Sequence, residues 1–385
     1  MELRSGYKQT EGGVIPQEWE VRPLGDVVEF LDGRRRPVKD SDRARMRGHI
    51  PYYGASGIVD YVNAFLFNED LILLGEDGEN ILSRNCRLAF KVSGKAWVNN
   101  HAHVLRPRQD MSLDYLAEFL ESLDYAQYNT GTAQPKLNKL VCSGIPVVRP
   151  PLPEQRAIAA ALCDVDALIG ALTQLIAKKG DLKQAAMQRL LTGQTRLSGF
   201  SREWEVKTLQ NATDCLDNLR VPLNEAQLDQ MRGDYPYCGA NGVLDYVNDY
   251  VIDDDFILIA EDGGYFDEYE YRPIAYRIIG KCWVNNHAHI LKAKQGFDQG
   301  FVFYSLVNKN ILRFLASGTR AKLNKSEMYK IEIDVPLNVK EQTAIATVLS
   351  DMDAEITALE QRLAKTRALK QGMMQELLTG RTRLV

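Results

Sequence analysis

The chain is a tandem repeat of one unit of about 190 residues. The heptapeptide WVNNHAH occupies residues 97–103 and returns unchanged at 283–289, and EWEV occurs at 18–21 and at 203–206. The offset between the copies is 185 residues at EWEV, 186 at WVNNHAH and 187 at LLTG, which lies at 190–193 and 377–380. A repeat this long exceeds the repeats of solenoid proteins. We therefore expect two similar folded halves.

Each half divides into a mixed part and a long helix. In the first half, LILLGED (71–77), LAFKV (88–92) and WVNNHAHVL (97–105) have the composition of strands, and SLDYLAEFLESL (112–123) has helical periodicity. A proline-rich junction, RPPLPEQ at 149–155, then precedes a helix whose end is marked by Gly193. We predict α+β domains at residues 1–152 and 198–338, each followed by a helical segment, at 153–197 and 339–385.

The two helical segments carry matching apolar seams, with apolar residues in alternating steps of four and three, the spacing of a coiled coil. Both seams turn polar at the same two steps, which indicates a local structural feature: Lys179 and Lys183 in one copy, Thr366 and Lys370 in the other. Helices of about 38 residues would span roughly 57 Å. We expect them to pair antiparallel about a pseudo-two-fold axis, with the two ends of the chain as neighbours. The residues predicted to pair are Leu162, Val165, Ile169, Leu172, Ile176, Leu349, Met352, Ile356, Leu359 and Leu363.

Composition and missing motifs restrict the function. The net charge of −4 gives no basic footprint over the whole chain, and the six cysteines form no CxxC pair. The sequence shows neither a signal peptide nor a long uncharged apolar segment, so we expect a cytoplasmic protein without membrane contact. It contains no GxxxxGK[ST] phosphate loop and no visible methyltransferase motif. We therefore expect no catalytic residues and no cofactor.

Four of the five histidines lie in the two WVNNHAH copies. They alternate with alanine on a predicted strand, so we expect His101 and His103 to point to one face, as do His287 and His289. A transition-metal site needs three or four ligands, so metal binding is the least favoured interpretation. Hydrogen bonding within the fold and a polar surface facing DNA both remain open.

Several segments together resemble the specificity subunits of type I restriction-modification systems. They are GVIPQEWEVRPLGDVV (13–28), GTAQPKLNKL (131–140) followed by IPVVRPPLPEQRAIAAAL (145–162), the helix ending in LLTG, and a second round of the same pattern. The resemblance covers essentially the whole chain. The second junction, IDVPLNVKEQTAI, departs from the double-proline form.

This resemblance implies an α+β protein with two target-recognition domains, each of which reads one half of a bipartite double-stranded DNA sequence. The two helices would hold these domains apart and would dock methyltransferase subunits. Methylation and cleavage would belong to partner subunits, including ATP-dependent restriction subunits where these are present. Two other functions remain open: a metal-dependent enzyme that uses the HAH motifs, and a coiled-coil scaffold that binds protein alone.

Duplex DNA is held by cations on phosphate and read by polar side chains at base edges. A basic segment at 33–47 keeps only two of its cations in the second copy of the repeat. Loops at 131–139 and 318–325 supply further lysines. The asparagines are candidates for base contacts, because an asparagine amide can bind an adenine edge. For each position a structural role, as a solvated charge or a brace, is the alternative. The candidate DNA-binding residues are Arg35, Arg47, Asn99, Asn100, His101, Lys136, Asn138, Lys139, Arg220, Arg232, Asn285, Asn286, His287, Lys322, Asn324 and Lys325.

Overall fold

The chain divides into two compact units. The computed structural model describes residues 5–316 and 321–384. Unit 1 comprises the described residues up to Thr173 together with those from Arg362 onward, and unit 2 comprises the described part of Gln174–Gln361. Each unit thus contains one α+β module and segments of both long helices.

The first module contains two four-stranded sheets, with strand orders β6-β5-β10-β7 and β4-β11-β8-β9, and the two-stranded pairs β1-β2 and β12-β3. Its strands are β1 (Tyr7–Thr10), β2 (Gly13–Pro16), β3 (Glu20–Pro23), β4 (Val28–Phe30), β5 (Arg47–Gly54), β6 (Gly57–Val62), β7 (Phe67–Asn68), β8 (Leu71–Gly75), β9 (Ala89–Val92), β10 (Lys95–Val98), β11 (Ala102–Pro107) and β12 (Pro146–Arg149). Its helices are α1 (Leu24–Val27), α2 (Asp40–Arg43), α3 (Asn80–Ser83), α4 (Leu113–Ser122) and α5 (Lys139–Ser143).

The second module follows the long helix α6 (Leu152–Leu190) and precedes the long helix α11 (Val339–Leu377). Here the sheets join into one of six strands, β14-β19-β17-β18-β15-β16, beside the pair β13-β20. Its strands are β13 (Trp204–Thr208), β14 (Thr213–Cys215), β15 (Arg232–Gly239), β16 (Gly242–Val247), β17 (Ile252–Ala260), β18 (Ala275–Val284), β19 (Ala288–Ala293) and β20 (Glu332–Pro336). Its helices are α7 (Leu209–Ala212), α8 (Glu225–Gln230), α9 (Gln299–Val307) and α10 (Lys325–Met328).

A buried strand and an amphipathic helix form the centre of the first module. All five residues of β8 are buried, as expected for a short apolar run covered on both faces. Helix α4 begins where Ser112 accepts a hydrogen bond from the Tyr115 amide, and it packs Leu116 and Leu120 into the same core. The predicted helix at 112–123 is confirmed. The mixed α+β class is confirmed as well.

The long helices each contain 39 residues, a length of about 58 Å. All ten predicted seam residues are buried or half-buried. In unit 1, Asp166 of α6 binds Lys370 of α11 (2.7 Å). In unit 2, Lys179 binds Glu355 (2.7 Å) and Lys183 binds Asp353. Within each unit, later residues of one helix meet earlier residues of the other, so the helix segments run antiparallel.

The two ends of the chain meet in unit 1. Glu154, in the first turn of α6, is 1% exposed and forms a bidentate ion pair with Arg383 (2.5 and 2.8 Å). The Trp19 indole donates to the same carboxylate (2.9 Å). Arg383 also binds Glu18 (2.6 Å). The expected proximity of the two ends is confirmed.

The same arrangement recurs in unit 2, where Arg196 and the buried Glu341 form a bidentate pair (2.6 and 2.7 Å). The arginine comes from the TRL triplet after each LLTG, and the glutamate comes from the first turn of a long helix. These residues were not among the sequence candidates. Their repetition in both copies was the signal that could have identified them.

By length and composition alone, α6 is long and apolar enough to cross a membrane. Within unit 1, however, Ile158 and Leu162 of this helix belong to the hydrophobic core, and Asp166 binds Lys370. These contacts pack the first part of the helix into the core of unit 1.

Gly372, within α11, and Gly380, just after this helix, should respond in opposite directions to substitution by alanine. Gly380 has φ +71°, and a Cβ there would lie 2.4 Å from Pro16 and 3.0 Å from Trp19, whereas a Cβ on Gly372 meets nothing within 4 Å. We expect Gly380→Ala to lower the free energy of unfolding by more than about 1 kcal/mol, and Gly372→Ala to raise it by about 0.5–1 kcal/mol. Urea unfolding measures both. Shifts of the same sign would contradict the structure.

Candidate nucleic-acid interface

The WVNNHAH segment is not one continuous strand. In the first copy, β10 ends at Val98 and β11 begins at Ala102, so residues 99–101 form a turn. The Asn99 side chain accepts a hydrogen bond from the His101 amide (2.8 Å), which is an Asx turn. Asn285 and His287 make the same bond (2.8 Å). The prediction that both histidines of a copy point to one face is therefore wrong, because the first lies in the turn with its ring exposed, whereas the second lies in the following strand and is buried.

The second histidine of each copy is buried. His103 is 1% exposed; its Nδ1 faces Asp32 (2.7 Å) and its Nε2 faces the Leu137 carbonyl (2.9 Å). His289 repeats this geometry with Asp217 (2.7 Å) and the Leu323 carbonyl (2.8 Å). Both neighbours of His103 can only accept, so both of its ring nitrogens must donate, and this imidazole is an imidazolium.

Electrostatics agree with this protonation state. Burial lowers the pKa of His103, but the interactions with Asp32 and Cys142 together outweigh burial and raise the pKa to about 10. Burial raises the pKa of Asp217, whereas the hydrogen bond from His289 lowers it, with a net value of about 2. Each buried histidine–aspartate pair thus ties β11 or β19 to the turn that follows β4 or β14. The two aspartates were not among the candidates, although each follows a leucine at equivalent positions in the two copies.

Arg35 and Arg220 lie inside this framework rather than on the surface. The Arg35 side chain is 14% exposed, and its guanidinium binds Glu76 (2.6 Å) and the Ala102 carbonyl (2.8 Å). Arg220 binds Glu261 and is 19% exposed. Because these guanidinium groups are largely buried as well as paired, they support the site and offer little to phosphate. Lys136 and Lys322 bind the same two glutamates (3.4 and 2.9 Å), but their side chains are about half exposed.

The exposed side chains cluster where the turn meets the loop at 129–139. The His101 ring is 50% exposed and bonds Asp77 (2.9 Å), and the His287 ring is 41% exposed and bonds Asp262 (2.7 Å). Lys136 pairs with Asp77 through a β-bridge and approaches Glu76 (3.4 Å). This bridge brings the loop beside the turn.

The asparagines have different environments. Asn99 and Asn285 are 7% and 4% exposed and brace the turns. Asn100 and Asn286 are exposed, and within residues 5–316 and 321–384 no hydrogen bond holds either side-chain amide. An exposed amide without a protein partner is free to bind an external polar group.

The loop residues also divide into two classes. Asn138 caps α5 by accepting from the Val141 amide (2.9 Å), so its side chain is engaged. Asn324 is at the equivalent cap position without a side-chain cap bond. Lys139 and Lys325 are exposed. Residues 318–320 of the second loop lie outside the described residues.

Arg47 and Arg232 are not part of this cluster. Each begins an eight-residue strand, β5 or β15, whose opposite end contacts the asparagine turn. Strand geometry places them about 24 Å away. Both are exposed, and Arg232 binds Asp229 (2.8 Å).

We therefore define the reading face of each module by its solvent-accessible polar residues. In the first module these are Asn100, His101, Lys136 and Lys139, and in the second they are Asn286, His287, Lys322 and Lys325. The same set, one asparagine, one histidine and two lysines, occurs in both modules. Buried histidine, aspartate and arginine groups support each face in the same way.

One group in unit 2 has donor atoms close enough for a metal ion: Cys215, Asp217 and His289. His289 already uses both ring nitrogens in hydrogen bonds. Burial raises the pKa of the Cys215 thiol to about 12, which disfavours the thiolate that a metal would need. In the first module Phe30 occupies the position of Cys215. The cluster fits a hydrogen-bonded support better than a repeated metal centre.

Comparisons with known proteins identify the family. The family model described as type I restriction modification DNA specificity domain matches residues 16–178 and again 201–367. The chain belongs to this family. Its members are specificity subunits, which recognise DNA and leave catalysis to partner subunits. Neither a metal-dependent enzyme nor a scaffold that binds protein alone is favoured.

Individual relatives agree with the assignment. A putative type I restriction enzyme specificity subunit from Haemophilus influenzae is 36% identical over 159 residues, which are 41% of this chain and 39% of that relative. The type I restriction enzyme MjaVIII specificity subunit from Methanocaldococcus jannaschii is 24% identical over 98% of this chain and 96% of its own. The crystal structure of the S subunit from M. genitalium shares the fold, with a TM-score of 0.70 over 98% of both chains at 13% identity.

Proposed function

We propose that this specificity subunit reads a bipartite duplex with one reading face per half-site. The domain at 1–152 would bind one half and the domain at 198–338 the other. The observation that carries the proposal is the repeated, solvent-accessible set of asparagine, histidine and two lysines on each module. Asparagine suits adenine edges, and lysine suits phosphate.

The other candidate residues have supporting or peripheral roles in this proposal. Arg35, Arg220, Asn99, Asn285 and Asn138 hold the faces in shape, because their side chains are engaged within the fold. Asn324 extends the second face. Arg47 and Arg232 contact phosphate away from the bases that are read.

We further propose that the segments 153–197 and 339–385 pair as an antiparallel coiled coil along their length, set the distance between half-sites and dock methyltransferase subunits. Helices of about 58 Å allow half-site centres on the order of 10 to 15 base pairs apart, near the one-turn spacing that dimeric readers use. Restriction subunits would join the same complex where they are present. The subunit would act in the cytoplasm, and no cofactor is needed for recognition.

Coexpression with a methyltransferase subunit, followed by genome-wide mapping of modified adenines, tests the proposal. Because the two modules share the same framework and face, we expect two similar half-sites in inverted orientation with a fixed spacer. Cells that express the methyltransferase alone are the control. Modification without sequence preference, or at two unrelated half-sequences, would count against it.

A further inference from the structure

The polar interruption of each apolar seam coincides with a charged contact between the long helices. Lys183 and Lys370 occupy equivalent positions, 187 residues apart, and so do Asp166 and Asp353. Each lysine binds the aspartate of the other helix: Lys370 Nζ lies 2.7 Å from Asp166 Oδ2, and Lys183 binds Asp353. The sequence feature therefore has a structural cause.

Each contact includes a third element, the helix of the α+β module. In unit 1, Glu118 of α4 binds Lys370 (2.8 Å). In unit 2, the Tyr304 hydroxyl of α9 donates to Asp353 (2.8 Å), and Lys183 Nζ lies 5.8 Å from the centre of the Tyr304 ring. We call Lys370, Asp166, Glu118 and Arg87 the first node, and Lys183, Asp353 and Tyr304 the second node.

Both nodes are balanced in charge, but they differ in exposure: the first has a buried centre, whereas in the second the Lys183 and Asp353 side chains are 20% and 40% exposed. Lys370 is 9% exposed and Glu118 is 3% exposed. Arg87 completes the first node by binding Glu118 (2.7 Å) and Asp166 (3.3 Å). In the second node, one lysine faces one aspartate and a neutral phenol. Removing one partner of a buried ion pair is strongly unfavourable, so the first module cannot shift along its helices by one turn of about 5.4 Å without leaving a buried charge unpaired. The same shift in unit 2 would separate the half-buried Lys183–Asp353 pair and break the hydrogen bond from Tyr304.

An apolar seam alone does not specify one register, whereas a polar residue within a seam does. We propose that the two nodes are positioning sites that fix each α+β module at one register on the long helices, and so determine which spacer length the subunit accepts. This inference rests on the proposed function of the helices in setting the half-site distance. It assigns that function to seven named residues.

The test uses the chain in complex with its methyltransferase subunit, and duplexes whose spacer is the mapped length or one base pair longer or shorter. We expect Lys183→Met and Lys370→Met each to reduce the preference for the mapped spacer by about tenfold, with the half-site bases unchanged. Lys178→Met, an exposed lysine on α6 with no ion pair among the described residues, is the control. It should keep the wild-type preference.

Charge exchange separates positioning from a general loss of packing. Lys183→Asp with Asp353→Lys should restore the spacer preference, because the Tyr304 hydroxyl can donate or accept. Lys370→Asp with Asp166→Lys should fail to restore it, because the new aspartate faces Glu118 and the new lysine faces Arg87. If a lysine variant does not fold, Asp353→Asn replaces it in the assay.

Two results would overturn the inference: unchanged spacer preference in folded lysine variants, or a preference lost together with half-site recognition. A wild-type complex that ignores spacer length would instead refute the proposed function of the helices. The two failures are therefore distinguishable.

Discussion

Asn100→Ala should reduce methylation of the cognate duplex by about tenfold or more, since a bidentate amide contact to a base contributes about 1–3 kcal/mol. Asn100 is exposed at the turn between β10 and β11, and its amide has no protein partner within the described residues. Truncation should therefore remove a DNA contact without disturbing the fold. The kcat/KM of the complex on a synthetic duplex measures the loss, and Asn286→Ala should give an equivalent loss through the second module.

The matched control is Asn63→Ala. Asn63 is also exposed in the first module, but it follows β6 at the end of the sheet far from the turn. We expect no change in kcat/KM. If Asn100→Ala were silent while Arg47→Ala abolished methylation, the first module would instead contact DNA through its opposite end.

The stability of unit 1 should fall as pH rises above neutrality, because His103 then loses a proton. The pKa of His103 in the folded chain is about 10, above its ordinary value of 6.5. A raised pKa stabilises the folded state fully below pH 6.5, and this contribution is lost as pH rises through 10. A neutral imidazole has one N–H and cannot donate to both Asp32 and the Leu137 carbonyl. The loss is on the order of a few kcal/mol.

Urea unfolding from pH 6 to pH 10 measures this effect against His103→Gln, which has no proton to lose. The difference in free energy of unfolding between the wild type and this variant should shrink as pH rises. His49→Gln, at an exposed histidine, should follow the wild type at every pH. A difference between wild type and His103→Gln that stays constant over the range would refute the imidazolium assignment.

The duplication and the helical periodicity were sufficient to predict the fold class and the extent of the long helices. Local spacing determines both, and the buried seam residues agree with it. The seam interruption at Lys183 and Lys370 was also visible in the sequence. The cause of this interruption was not visible in the sequence. The partners of the lysines, Asp353, Asp166 and Glu118, are distant from them in the chain and contact them only in the folded protein.

The site was less predictable. Alternation along a strand predicted the wrong face for His101, because the Asx turn made by Asn99 depends on a single side-chain hydrogen bond. Likewise, Arg35 resembled a free cation in sequence. Its partner Glu76 follows another strand, β8, which lies beside β11 only in the folded sheet. The sequence was sufficient to identify the residues of this region, but which of them face solvent depends on tertiary contacts.

Mapping of modified adenines in cells that express the methyltransferase with wild-type chain, Asn100→Ala or Asn286→Ala tests the central claim most directly. The claim is that each module reads its own half-site through its own face. We predict that each variant relaxes the sequence preference in one half-site only, and that the two variants affect opposite halves. Relaxation of both halves by either variant, or of neither half by both, would contradict the account.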